Sequence, residues 1–164
     1  MGSDGFRVVK IAMLGNFDPK KFLQMQKRNP ELSPDEFQYL KDHATLVQDF
    51  GMSAGRSVSV SLGSQTLTQI SLNGGTANWA ALGDTEIANG RYFTEIEDRH
   101  RSMVAVIGAD MESNLFAGAD PIGKEIKVEG RPFTVVGVAK AKGSVFGQSQ
   151  DGFVDIPIGS YFQI

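Results

Sequence analysis

Between residues 57 and 72 the chain changes face at every step. Val58, Val60 and Leu62 alternate with Ser57, Ser59 and Ser61, Gly63-Ser64 can turn the chain, and Thr68, Ile70 and Leu72 alternate on the return. A period of two places the serines on one face and the aliphatic side chains on the other, which predicts a β-hairpin. The apolar face has a plain use, core packing, and a sharper one, an exposed strand edge that pairs with a partner. Asn73-Gly74-Gly75 is expected to break the hairpin.

A second local signal lies upstream. In Ser33-Pro34-Asp35-Glu36, Ser33 can accept from the Glu36 N–H and Glu36 can reach back to the Ser33 N–H, a capping box with proline at the first helical position. Phe37, Leu40, Ala44 and Val47 follow at helical spacing and Gly51 can end the segment, so a helix is predicted from Pro34 to about Phe50. Strands are predicted over 6–14, 103–107, 124–128, 133–138 and 153–158, with short helices around 77–82 and 110–116. Residues 15–32 and 143–152 read as polar loops. The sum is an α+β chain rich in hairpins.

Composition removes several functions. The 164 residues are 41% hydrophobic and 21% charged, ordinary for one domain or two small lobes. The net charge is -3, and Lys20, Lys21, Lys27 and Arg28 form only a local stretch, read as solvated. Nucleic-acid binding needs a concentrated basic face, so none is expected. Without cysteine there is no thiol catalysis, Cys-ligated zinc or disulfide framework. No apolar run approaches the roughly 18 residues of a membrane span.

Candidate chemistry is sparse. Gly51-Met52-Ser53-Ala54-Gly55 matches the G-x-S-x-G string of a nucleophile elbow, but the elbow needs a strand before the serine and a helix after it. The predicted order is the reverse, and His43 and His100 are the only candidate bases. Glu95, Glu97, Asp98 and His100 make an acidic cluster whose spacing fits no EF-hand loop and no H-E-x-x-H helix. It reads as a solvated turn, capped by Thr94 through Glu97. Trp79, Tyr92, Phe93, Phe116, Phe133 and Phe153 are assigned to the core. No catalytic residue, cofactor or metal ligand is assigned.

An ordered series of short motifs then carries a resemblance. Gly90-Arg91-Tyr92-Phe93-Thr94 leads through Glu97-Asp98 to Val104-Ala105-Val106-Ile107-Gly108. Leu115-Phe116, Asp120-Pro121-Ile122-Gly123-Lys124 and Ile126-Lys127-Val128 follow, and Gly130-Arg131-Pro132-Phe133-Thr134-Val135-Val136-Gly137-Val138 closes the series. This stretch resembles the periplasmic core domain of MacB-type ABC transporter permeases. Upstream, the strand at 6–14 and the Pro34 helix fit only in order and type. Downstream, Phe153 to Ile158 resembles the strand that follows in the family.

The resemblance implies two lobes: a porter-like βαβ lobe, its first half at residues 1–55, and a mostly β, sabre-like lobe at 56–164. The family's second porter half has no counterpart before Ile164, so it is either cut away or abbreviated. It further implies a periplasmic location on the bacterial cell membrane, with flanking transmembrane helices that this sequence lacks. The implied partners are a second permease protomer, a cytoplasmic ATPase domain or subunit, and a periplasmic adaptor with an outer-membrane channel. The implied task is mechanotransmission of ATP-driven movement during export. The residues at 15–32 and 143–152 are the candidate contact surfaces. Two readings from other classes stand beside this one. A hydrolase with a carboxylate pair would set Glu95 or Asp98 against another acid across a pocket. A structural or adhesive β-module would show no βαβ packing around the Pro34 helix.

Overall fold

The computed structural model describes residues 5–11, 18–83 and 85–164. The chain divides into two compact units, Met1–Phe50 and Gly51–Ile164.

In the first unit, helix α1 spans Pro19–Arg28, inside the stretch expected to be a loop. Asp18 caps it, its carboxylate accepting from the N–H groups of Lys20 and Lys21 at 2.9 and 3.3 Å. Pro19 stands in the first turn, and Lys27 and Arg28 complement the carbonyl end of the helix dipole. This cap, followed by good helix formers, suffices although apolar residues are few. The side chain of Asn29, just past α1, donates to the Lys10 carbonyl at 2.6 Å. Residues 6–11 form no strand, and 12–14 lie outside the described residues.

Helix α2 (Pro34–His43) starts at the expected capping box, with both hydrogen bonds made. It stops seven residues before Phe50. Thr45, Val47 and Asp49 are poor helix formers, and the Asp49 carboxylate accepts from the Phe50 N–H at 2.9 Å, a local alternative to the helical bond.

The second unit opens with the hairpin of β1 (Ser53–Leu62) and β2 (Gln65–Gly75). Leu62 faces Gln65 across the turn, and Gly63 supplies the positive φ of 60°. The register slips between Val58↔Ile70 and Val60↔Leu67, leaving an extra residue on β2, where Gln69 takes a φ of 59°. This β-bulge turns Leu67 toward the core in place of the expected Thr68. Nor do Asn73-Gly74-Gly75 break the strand: they pair with β1 on one side and with β9 on the other. Their glycines serve close packing, since a Cβ on Gly74 would lie 2.4 Å from the Tyr161 Cβ.

Helix α3 (Trp79–Leu82), strand β3 (Ile87–Gly90), helix α4 (Glu95–Arg99), strand β4 (Val104–Ile107) and helix α5 (Ala109–Phe116) follow. Then come β5 (Glu125–Val128), β6 (Arg131–Ala139), the short pair β7 (Ser144–Val145) and β8 (Gln148–Ser149), β9 (Phe153–Pro157) and helix α6 (Ile158–Tyr161). The large sheet runs β3-β6-β4-β9-β2-β1-β5, and β5 also pairs with β6. The second pairing closes six strands into a barrel and leaves β3 as a flap on the end of β6. Val60, Leu72, Ile107, Val128, Phe133 and Val154 are fully buried in the core, and Met111, Leu115 and Phe116 of α5 join them. Phe93, Phe116 and Phe133 of the six expected core aromatics are buried; Trp79, Tyr92 and Phe153 are half-buried.

One acid is built into the wall. Asp155 on β9 is 4% exposed. Its Oδ1 accepts from Asn73 Nδ2 at 3.0 Å and its Oδ2 from the Tyr92 hydroxyl at 3.3 Å. Burial pushes the carboxyl up to about 6, against the opposing pull of the two hydrogen bonds and of the Lys142 charge. The same burial, with the Asp155 charge beside it, drives the Tyr92 phenol upward.

The folded-state value of Asp155 lies above the ordinary carboxyl value of 3.8. Its stabilising share is therefore complete below about pH 4 and lost as pH rises through 6. Asp155→Asn should raise the melting temperature at pH 7.5 and flatten its pH dependence between 4 and 6. An unchanged or lower melting temperature at pH 7.5 would show the charge to be well accommodated. A second expectation concerns Gly137, where a Cβ would lie 2.2 Å from the Arg91 carbonyl oxygen, a backbone atom. Gly137→Ala should cost about 1–3 kcal/mol in chemical denaturation, as overpacking does. At Gly152 a Cβ meets only Asp110 Oδ2, at 4.0 Å, so Gly152→Ala should be nearly neutral. Equal effects of the two would contradict the close packing of β6 on the Arg91 backbone.

Candidate partner-contact surface

Residues 140–152, most of which read as a polar loop, fold into an anchored hairpin. Strands β7 and β8 pair Ser144 with Ser149 and Val145 with Gln148, leaving Phe146-Gly147 as a two-residue turn. Both turn residues have positive φ, 50° and 80°, the left-handed geometry of tight hairpins. Gly147 adopts it freely; Phe146, with a Cβ, does not. The phenyl ring at this tip is fully exposed, at 103%.

The base of the hairpin is held from several sides. Asp151, 4% exposed, accepts from the N–H of Lys142 and of Gly143, both at 2.8 Å. Gln150 N–H donates to the Gly143 carbonyl at 2.9 Å. The Ser149 hydroxyl donates to the Asp110 carboxylate and accepts from Asp151 N–H at 3.0 Å. The Asp151 carbonyl in turn accepts from Asp110 N–H at 3.3 Å at the start of α5. Gly108 permits this approach, since a Cβ there would lie 2.1 Å from the Asp151 oxygen. On the outside, Lys140 pairs with Glu86 at 2.8 Å. An exposed apolar side chain in a disfavoured backbone conformation thus sits on a frame with few ways to relax.

The residues considered for catalysis are occupied elsewhere. Ser53 begins β1 and Met52 N–H donates to Thr76 Oγ1 at 3.2 Å, so the G-x-S-x-G string enters a strand and builds no elbow. Glu97 closes the expected capping box with Thr94 and takes two bonds from the Arg91 guanidinium, each 2.8 Å. The Arg91 bonds, with those from Thr94, hold the Glu97 carboxyl down at about 2. Glu95 pairs with Arg99 one turn on, at 3.6 Å. Asp98 accepts from Gly159 N–H at 2.9 Å, and partial burial raises its carboxyl above the ordinary range. His100 ends α4, and the His43 ring contacts the Tyr39 carbonyl at 2.7 Å. Among the described residues no group of three or more His, Asp or Glu could hold a metal ion. Lys20, Lys21, Lys27 and Arg28 lie exposed along α1.

The anchoring of the hairpin was hidden in the sequence because its strands are two residues each and carry no apolar alternation. The one visible signal was glycine after phenylalanine in a run of polar residues.

Comparison with known proteins agrees with this architecture. The MacB-like periplasmic core domain family matches residues 6–164. A macrolide export ATP-binding/permease protein MacB from Rhodospirillum rubrum is 40% identical over 93 residues, 56% of this chain and 14% of that protein. A pyoverdine export ATP-binding/permease protein PvdT from Pseudomonas aeruginosa is 37% identical over 87 residues, 52% of this chain and 13% of that protein. The crystal structure of the periplasmic region of MacB from Actinobacillus actinomycetemcomitans superposes with a TM-score of 0.72 at 20% identity. That alignment covers 84% of this chain and 62% of the other and establishes a shared α+β fold. The chain therefore spans only about a seventh of the curated relatives it matches. With the family matched across nearly every residue and the fold in agreement, the chain belongs to the MacB-like periplasmic core domain family, the extracytoplasmic part of transporter permeases.

Proposed function

We propose that this chain is the part of an ABC transporter permease that meets substrate or partner proteins outside the membrane and passes ATP-driven movement to them. The observation that carries this reading is the exposed Phe146 tip on an anchored hairpin, in a unit whose candidate catalytic acids are tied up in caps and ion pairs. A closed barrel resists shear between its strands, so a push at one end arrives at the other as displacement of a whole body. Work of that kind needs stiffness and a contact point, and the closed sheet and the exposed hairpin tip support the reading on those two counts.

In this reading ATP is hydrolysed by a cytoplasmic domain or subunit of the parent protein, and a second protomer stands beside this one. An adaptor and an outer-membrane channel extend the path. The porter-like and sabre-like division at residues 1–55 and 56–164 belongs to the same proposal. The two named relatives are called macrolide and pyoverdine exporters, which favours a bulky natural product as cargo. Among the described residues no helix is long and apolar enough to cross a membrane.

The test is made on the full-length protein. Asp151→Ala removes the buried acceptor for two backbone N–H groups and loosens the hairpin base. Cellular export should fall severalfold while ATP hydrolysis by the purified protein persists. Export that survives deletion of residues 51–164 would end the proposal. So would turnover of a small molecule by the purified chain that is lost in Glu95→Gln or Asp98→Asn.

A further inference from the structure

The dipeptide Asn-Gly occurs twice in the chain, at Asn73-Gly74 and Asn89-Gly90, and the fold treats the two differently. An asparagine side-chain amide is open to attack by the backbone nitrogen of the next residue, and glycine, without a Cβ, crowds that attack least. Asparagine counts among the thermolabile residues. The attack needs access to water, a free side-chain amide and a following N–H that no ladder holds.

Asn73-Gly74 lacks all three. Gly74 is buried on β2, paired with Ala54 of β1 on one side and Ile156 of β9 on the other. The Asn73 amide donates to Asp155 at 3.0 Å. Asn89-Gly90 has all three. Both residues are exposed, and among the described residues no side-chain hydrogen bond involves Asn89. Strand β3 is the last of the sheet and pairs with β6 alone. Next to the Gly90↔Gly137 pair, Arg91 N–H donates to the Val136 carbonyl at 2.9 Å. Successive N–H groups of an antiparallel pair alternate between the partner and the open side, so the Gly90 N–H faces off the edge of the sheet. The strand is four residues long and irregular between Ile87 and Asn89, so fraying it costs little.

From this contrast we infer that Asn89 is a self-modification site, converting through a succinimide to isoaspartate and detaching β3 from β6 as it does so. The Gly90 nitrogen gives its proton to hydroxide and bonds to the Asn89 side-chain carbonyl carbon. The carbon–nitrogen bond of the side-chain amide breaks, and its nitrogen leaves as ammonia with a proton taken from water. Water then opens the ring. Addition at the side-chain carbonyl gives aspartate, and addition at the main-chain carbonyl gives isoaspartate. One water is consumed, one ammonia is released, and nothing is oxidised or reduced. Isoaspartate carries the chain through Cβ, which adds a methylene to the backbone and a negative charge to the edge. The packing cannot absorb the methylene, since a Cβ on Gly90 would already lie 2.3 Å from the Val136 carbonyl oxygen. The shift falls on the Arg91 bond to Val136 and on the anchors that follow, Arg91 to Glu97 and Tyr92 to Asp155. This chemistry needs no partner, so it stands apart from the proposed function.

The test ages the freshly purified full-length protein in mildly alkaline buffer and maps its peptides by mass spectrometry. The Asn89 peptide should gain one mass unit and resolve into aspartyl and isoaspartyl forms, the second a substrate for a purified protein-isoaspartate methyltransferase. The Asn73 peptide should convert at least about tenfold more slowly in the native protein and as readily as Asn89 once the chain is unfolded. Asn89→Gln should remove the methylation at this site. Hydrogen exchange at the Arg91 amide should rise in aged protein, and stay at the fresh level in new Asn89→Asp, which adds the charge without the methylene. An Asn89 that survives ageing in the native protein but converts in the unfolded one overturns the inference, as does equal native conversion of Asn73 and Asn89. Unchanged exchange at Arg91 after conversion, or a rise in new Asn89→Asp equal to that of aged protein, overturns the detachment.

Discussion

The closing of the sheet by β5 is the constraint on which the rest depends. This four-residue strand pairs with β6 along its whole length and with β1 at Val60↔Val128 and Ser61↔Lys127. Glu129 reinforces the seam, its carboxylate accepting from Ser59 N–H at 2.8 Å and its own N–H donating to the Ser59 carbonyl at 3.1 Å. Without that seam the β1–β2 hairpin would hang from β9 alone. With it, Val60 and Val128 are both fully buried, and no edge of the six barrel strands is left open along its full length. A closed sheet also limits the mispairing that free edges invite.

What the sequence disclosed was local. Both capping boxes, at Ser33 and at Thr94, were legible because a cap is written in four consecutive residues. The β1–β2 hairpin was legible because its period is two. The barrel was not, because its closure joins Val60 to Val128 and its centre joins Leu72 to Val154, and no local period records such distant pairings. The glycines misled in one place: Gly74 and Gly75 looked like a strand break and instead admit Tyr161 and Trp79 at close range within the strand. Helix α1 was missed for the opposite reason: Asp18-Pro19 is a sound cap, but beyond Pro19 only Phe22, Leu23 and Met25 are apolar in a helix otherwise made of polar and charged side chains.

The stretch that carried the family resemblance is also the one whose residues have the most specific structural tasks. Gly90, with φ of 75°, and Gly137 let the backbones of 90–91 and 136–137 touch. Tyr92 reaches Asp155, Thr94 and Arg91 share Glu97, and Gly108 gives way to the Asp151 carbonyl. Each task admits one or two residue types. A motif series of this kind is therefore readable as family membership before it is readable as geometry. The candidate contact surface was half legible by comparison: the polar stretch at 143–152 stood out, but nothing in its order of residues showed that it was stiff.

Stiffness is what joins these observations. Carboxylates fasten distant stretches of backbone to one another: Asp151 to 142–143, Asp98 to Gly159, Glu129 to Ser59. Asp155 stays in the wall although burial works against its charge, which fixes Asn73 and Tyr92 to one point on β9. Among the described residues the most exposed large apolar side chain, Phe146, stands on a left-handed backbone at the hairpin tip. On the proposed function, a frame fastened in this way passes a push to the hairpin tip as displacement of one body, with little lost to rearrangement inside it.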